Sequence, residues 1–279
     1  MRTRLLVRST RGLALTAAGE KYLPRFTRVV AELEELLVEV DSDQEGIEGN
    51  LRLQGPTTVT SLYLGGLFSE FQLANPRVSL ELLLLDRSVN PLEEGFDLVV
   101  GAQTTSYPNV VDVPLCLYHQ VACCSPAYLQ GRQEPSHPQE LVDHDCLTTV
   151  LLGNTWQFQS RRAPVSVDVQ SKFHANDGRV ILQGVLRGSG IAVLPRFLVD
   201  EHVRAGRIVV LLNEFPIANV WLKAMVPRMK IDKPAVRELV TFLKTHMHPI
   251  APWDDALELS LPTPGLSGGN AHIAPIGRA

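Results

Sequence analysis

Between Leu51 and Gly101 the chain switches repeatedly between two hydrophobic periods, and that switching decides the fold class. Leu51-Arg52-Leu53-Gln54 alternates as a strand does, and Gly55-Pro56 ends it. Thr57 to Leu73 then places Val59, Leu62, Tyr63, Leu67 and Phe71 on one side of a helix. Val78 to Leu85 begins with alternation and closes as a solid apolar run, the pattern of a strand buried on both faces. Asn90 to Gly95 gives a short helix, and Phe96 to Gly101 a further buried strand. Strand, helix, strand, helix, strand is the order of a parallel sheet wrapped by helices.

Ligands of such sheets sit beyond the carboxyl ends of the strands. Gly101-Ala102-Gln103-Thr104 falls at one such end. At another, the first turn of the helix after Pro56 holds Thr57, Thr58, Thr60 and Ser61. Free backbone donors and hydroxyls at a helix N-terminus suit a carboxylate, although plain N-capping by one threonine explains part of the same pattern.

The later sequence continues the α/β pattern. Val111 to Leu115 reads as a strand crossing into a second lobe. There His119 to Cys124, Asp145 to Leu152, Trp156 to Phe158, Val165 to Val169 and Ile191 to Leu194 read as strands. Short helices are expected at Pro126 to Leu129 and within Pro135 to Val142. Asn176-Asp177 caps a helix from Gly178 to Arg187, and its N-terminus is a second place where backbone donors suit an anion. Pro195 opens a helix ending near Gly206. Val220 to Val226 crosses back, and a last helix after Asp232-Lys233-Pro234 carries Val236, Leu239, Val240 and Leu243. From Pro249 proline, glycine and polar residues dominate, so residues 249–279 read as a disordered tail.

The start of the chain is of another kind. Leu5-Leu6-Val7 and Leu13-Ala14-Leu15 flank Ser9-Thr10-Arg11-Gly12, the makings of a hairpin. Thr16 is a good N-cap, and Tyr22, Phe26, Val29, Leu33, Leu36 and Val40 follow at steps of four and three. That heptad spacing favours pairing with a second helix, most simply its copy in another subunit; an amphipathic helix lying on its own domain is the alternative. Pro24 predicts a kink within it. Basic residues dominate before Val29, whereas Glu32 to Glu48 is acidic.

Arg8, Ser9, Arg11, Leu15, Thr16, Ala18 and Gly19 together resemble the wing and first linker-helix turn of the LysR-type transcriptional regulators. Further fragments at matching distances are GNLRL at residues 49–53, FQLANPRVSLEL at 71–82, DLVVG at 97–101, SPAYL at 125–129 and GSGIAVLP at 188–195. The resemblance implies a two-lobed α/β effector domain of periplasmic-binding-protein type, preceded by a wing remnant and a long linker helix. It divides the chain into a wing (1–15), a dimerisation helix (16–48), effector lobe I (49–112 plus 218–248), lobe II (113–217) and the tail. It also implies DNA as a partner, with Arg8, Thr10 and Arg11 at the contact, a homodimer or homotetramer, and a small-molecule effector, an organic acid or an aromatic compound. By position the effector residues would be Thr57, Thr58, Thr60, Thr104, Asn176 and Pro195, with Leu151 or Gly153 on the facing wall. Family members carry a base-reading helix before the wing. The sequence given opens at the wing, so Arg8 and Arg11 alone would give salt-sensitive phosphate or minor-groove contact.

Composition narrows the remaining classes. A net charge of −4 argues against a generic nucleic-acid binder. The absence of a leader pattern and of a long apolar run points to the cytoplasm and away from a membrane. Cys116, Cys123, Cys124 and Cys146 lack metal-ligand spacing and read as reduced core thiols, a redox sensor being the alternative; adjacent Cys123 and Cys124 should face opposite sides of a strand. His246 and His248 read as a solvated pair rather than a metal site, and no cofactor is expected. The expected function is therefore a transcriptional regulator with an effector-binding domain. A heterodimerising sensor that does not read DNA is one alternative. An enzyme on the same fold is another, but no nucleophile and base stand at motif spacing, and no phosphate loop is present.

Overall fold

The computed structural model describes residues 5–9, 12–16, 18–23, 26, 46–102, 105–247, 251 and 253. The chain divides into two compact units, residues 1–47 and 48–279. In the first, β1 (Leu6–Ser9) pairs antiparallel with β2 (Gly12–Leu15). Thr16 caps the helical residues that follow: its Oγ1 accepts from the Gly19 N–H at 3.0 Å. Gly19 is required there, because a Cβ would lie 2.1 Å from the Leu5 carbonyl oxygen. The family-like T-x-A-G spacing is thus a cap followed by a close helix-to-strand approach. Pro24 and the seam residues Val29, Leu33, Leu36 and Val40 lie outside the described residues, as do Thr10 and Arg11.

The second unit has two five-stranded sheets. In the first, β3 (Gly49–Gly55) lies between parallel neighbours β4 (Val78–Leu84) and β5 (Leu98–Gly101). The sheet is completed by β6 (Val110–Tyr118) and β14 (Val220–Pro227), which run antiparallel to each other, giving the order β4-β3-β5-β14-β6. The sheet is therefore mixed where its first three strands alone predict a parallel one. Pro114 is tolerated because β6 is an edge strand and the register shifts opposite it. β6 stays in this sheet through Tyr118, past the division at residue 112 drawn from the sequence.

Two expectations here need correction. β4 is not buried on both faces; it is the other edge of the sheet, and Leu84 is 40% exposed. The helix after Pro56 is also not one regular period. It comprises α1 (Thr57–Val59), a π-helical turn (Thr60–Leu64) and α2 (Gly65–Ala74). The Gly65 N–H donates to the Thr60 carbonyl, so one extra residue enters the turn. The buried stripe consequently shifts to Val59, Leu64, Phe68 and Phe71, leaving Leu62 exposed.

The second sheet contains β7 (Gln120–Cys124), β8 (Cys146–Thr149), β11 (Ser171–Ala175), β12 (Ile191–Pro195) and β13 (Val209–Val210) in the order β11-β8-β12-β7-β13. A separate hairpin joins β9 (Thr155–Phe158) to β10 (Val165–Asp168). β8 stops at Thr149 rather than Leu152, because Gly153 takes φ +68° and its N–H closes a turn onto the Thr149 carbonyl.

One face of this sheet packs Cys124 with Tyr128, Trp156 and Phe158. The other packs Cys123 with Ile181 and Val185 of α5 (Gly178–Leu186) and Val199 of α6 (Arg196–Arg204). Adjacent Cys123 and Cys124 thus do face opposite sides. α3 (Pro91–Glu94) and α4 (Pro126–Leu129) are short connectors. The last helix, α7 (Pro234–Met247), buries Val236, Leu239, Val240 and Leu243. Its Phe242 ring meets Phe71 of α2 at 5.5 Å, so α7 belongs to the first lobe. Beyond it Ala251 and Trp253 are also buried.

Candidate functional site

The ends of β3 and β5 open onto the second lobe. A small cavity of about 20 Å³ there is lined by Gln54, Pro56, Leu85, Arg87, Val99, Val100, Gly101, Ala102 and Met225, with Leu151 entering from the turn after β8. That volume accommodates about one water molecule. The lining is mostly apolar. Gln54 is the exception on β3: 2% exposed, it donates from Nε2 to the Leu85 carbonyl at 2.8 Å.

At the mouth of this cleft the hydroxyl-rich turn already meets carboxylates of the chain itself. Pro56 has no side chain able to cap the helix, and the Thr57 N–H donates instead to Asp86 Oδ1 at 2.8 Å. The buried Thr58 donates from Oγ1 to Asp177 Oδ1 at 3.2 Å, from one lobe to the other. Asp177 also caps α5, accepting from the Arg179 N–H at 2.7 Å and from Arg179 Nη2 at 2.8 Å. These bonds, that of the Arg179 side chain first, hold the Asp177 carboxyl below its ordinary range despite partial burial. Burial, followed by the Asp86 carboxylate, pushes the Tyr118 hydroxyl up and keeps it protonated. Thr60 Oγ1 is buried with no partner among the described residues, and Gly55 lacks a Cβ that would stand 2.3 Å from it.

Of the residues singled out in the sequence, Thr58 is brought directly against the start of α5, where Asn176 is an exposed neighbour of Asp177. Thr57 presents its backbone, and Thr60 faces Gly55 rather than lining the cavity. Pro195 ends β12 in register with Gln120, and Gly153 shapes the turn that projects Leu151. Thr104 lies outside the described residues. Gln54, Asp86 and Asp177 are the polar groups that sequence reasoning did not assign to the site. One signal was present: an aspartate immediately after a solid apolar run.

The sequence profile described as "LysR substrate binding domain" matches residues 44–248. The chain belongs to the LysR family of transcriptional regulators. It is 28% identical over 248 residues to the HTH-type transcriptional regulator PtxR of Pseudomonas aeruginosa, covering 87% of this chain and 78% of that protein. It is 30% identical over 245 residues to the probable HTH-type transcriptional regulator LtrA of Klebsiella pneumoniae, covering 82% and 78%. The solved LysR-type regulator CrgA of Neisseria meningitidis superimposes with a TM-score of 0.63 at 25% identity, over 88% of this chain and 84% of that one. Full-length AphB of Vibrio cholerae gives 0.65 at 22% identity over 88% and 84%, a likeness of fold. These relatives are regulators and not enzymes, and the two-lobed part of this chain is the LysR effector-binding domain. LysR-type regulators bind DNA and small-molecule effectors. No helix among the described residues is long and apolar enough to cross a membrane.

Proposed function

We propose that the cleft between the two lobes is where this LysR regulator receives its effector, an organic acid or an aromatic compound. The observation that carries this reading is the lined cavity at the carboxyl ends of β3 and β5, closed from the opposite lobe by Leu151. Around that cavity the wider cleft is assigned Thr57, Thr58, Thr60 and Thr104 on the first lobe's side and Asn176, Pro195 and Gly153 on the second's, with Thr58 as the member that already meets the opposite lobe. An effector larger than water must part the lobes at Leu151 and at the Thr58 to Asp177 bond. Binding and lobe orientation are thereby linked, which is the requirement for a ligand to shift the regulator between states.

The remaining assignments follow the same reading. Lobe I is assigned 49–112 and 218–248 and lobe II 113–217, with β6 continuing in the first sheet as far as Tyr118 at the crossing, and the protein is assigned to the cytoplasm. Arg8, Thr10 and Arg11 would meet DNA from the wing. Tyr22, Phe26, Val29, Leu33, Leu36 and Val40 form the seam of a homodimer or homotetramer, a reading supported by the exposure of Tyr22 and Phe26. A thermal-shift screen of small organic acids and aromatics tests the effector site. A ligand present at a hundred times its Kd adds about 2.7 kcal/mol of stability. The absence of any shift across chemically broad compounds would refute the assignment.

A further inference from the structure

The segment after α7 lies beyond the stretch matched by the family profile, which ends at residue 248. Yet Trp253 is only 7% exposed. Its ring lies 4.9 Å from that of Tyr63 and 5.1 Å from that of Phe197, and Tyr63 and Phe197 are themselves 5.3 Å apart edge-on. Tyr63 belongs to the first lobe and Phe197, in the first turn of α6, to the second. The three rings therefore close a triangle across the junction of the lobes. Tyr118, at the end of β6 where the chain leaves the first sheet, adds a fourth ring 5.8 Å from Phe197.

Each ring reaches this place for a local reason. The π turn rotates the helix so that Leu64 takes the buried stripe. Tyr63 then packs on rings rather than on the sheet. α6 is tied to the crossover by the Arg196 N–H, which donates to the His119 carbonyl at 2.9 Å, and this fixes Phe197 beside Tyr118. Trp253 follows α7 in sequence, and Phe242 of that helix packs on Phe71 of the first lobe. The Trp253 ring thus rests on a residue of each lobe. Rings at these separations and inclinations attract one another beyond simple burial.

We propose that Trp253 acts as an interlobe strap, its ring holding the two lobes together through Tyr63 and Phe197 until the contact with Phe197 is released. The strap makes Trp253 a second control on the cleft, alongside effector. That regulatory consequence rests on the cleft being the effector site; the strap itself does not.

Hydrogen exchange read by mass spectrometry on the full chain, without effector, tests the strap separately from the effector assignment. Trp253→Ala is expected to speed exchange about tenfold in peptides covering 57–64 and 196–204, with the β9 to β10 hairpin at 155–168 unchanged. Trp253→Phe, which retains a ring, should keep most of the protection. Phe197→Ala approaches the same contact from the other lobe and should open 57–64 and the segment around 251–253. The proposal is overturned if 196–204 keeps its protection in W253A, if both alanine variants lose protection uniformly across the two sheets, or if F197A leaves 251–253 unaffected. If these peptides respond as expected and no compound shifts the melting point, the strap stands and the effector assignment falls.

Discussion

Asp86 offers the sharpest perturbation of the cleft. The helix that opens at Thr57 follows a proline, so its first free N–H has no local cap and is served by the Asp86 carboxylate at 2.8 Å from the end of β4. Asp86→Ala removes the acceptor entirely. Losing such a cap costs about 1–2 kcal/mol, which for a unit of this size is a fall of about 2–4 °C in Tm per kcal/mol. The expected drop is therefore about 2–8 °C. Asp86→Asn keeps an oxygen in place and forfeits mainly the charge at the helix terminus, about 0.3–1 kcal/mol, so its drop should be roughly a third as large. Differential scanning fluorimetry of the three proteins measures both values. Added formate, the smallest carboxylate, should restore part of the D86A loss and leave the wild type unchanged. If D86A melts with the wild type, or if D86N falls as far as D86A, the capping account is wrong.

Other consequences are as direct. All four cysteines are buried, and burial pushes the Cys124 and Cys146 thiols up to about 12; iodoacetamide at pH 8 should therefore modify none of them in the native protein and all four after denaturation, as read by intact mass. Gly55→Ala should destabilise by about 1–3 kcal/mol, because its Cβ would sit 2.3 Å from Thr60 Oγ1, and adding Thr60→Ala should recover most of that loss in urea unfolding. Burial raises the Asp200 carboxyl against the opposing pull of Arg196. A carboxyl whose folded pKa is raised costs the native state stability as pH rises from the unfolded value of about 3.9, and the penalty is full above the folded value and absent well below the unfolded one. Asp200→Asn should thus melt no lower than the wild type at pH 7, with any advantage vanishing near pH 3; a fall of several degrees at pH 7 would refute this.

The fold was readable wherever a single period governed a segment. Leu51 to Gln54 and the α7 stripe were of that kind, and so were Cys123 and Cys124, whose opposite faces follow from strand geometry alone. It was unreadable where one residue broke the period. The Gly65 N–H bond to Thr60 moves the buried stripe by one position, and nothing in the order of Thr57 to Leu73 announces that. The exposure of Leu84 is a matter of strand order, which an apolar run does not encode.

The site divides in the same way. Local chemistry identified a hydroxyl-rich helix start, but Asp86 stands 29 residues from Thr57, and Asp177 stands 119 from Thr58. Contacts at such separations arise from topology. Trp253 was missed for a different reason: a segment rich in proline and polar residues looks unstructured even when one aromatic in it is buried.

The central claim is that an effector enters between Leu151 and the ends of β3 and β5. The most direct measurement is calorimetric titration of a compound that raises the melting point, on wild type and on Leu151→Trp. Leu151 is 50% exposed, so the larger ring should be accepted without loss of fold while obstructing the cleft. The account requires the affinity to fall at least about tenfold, equivalent to about 1.4 kcal/mol, with an unchanged Tm in the absence of ligand. Equal affinity for the two proteins would place the effector elsewhere and contradict it.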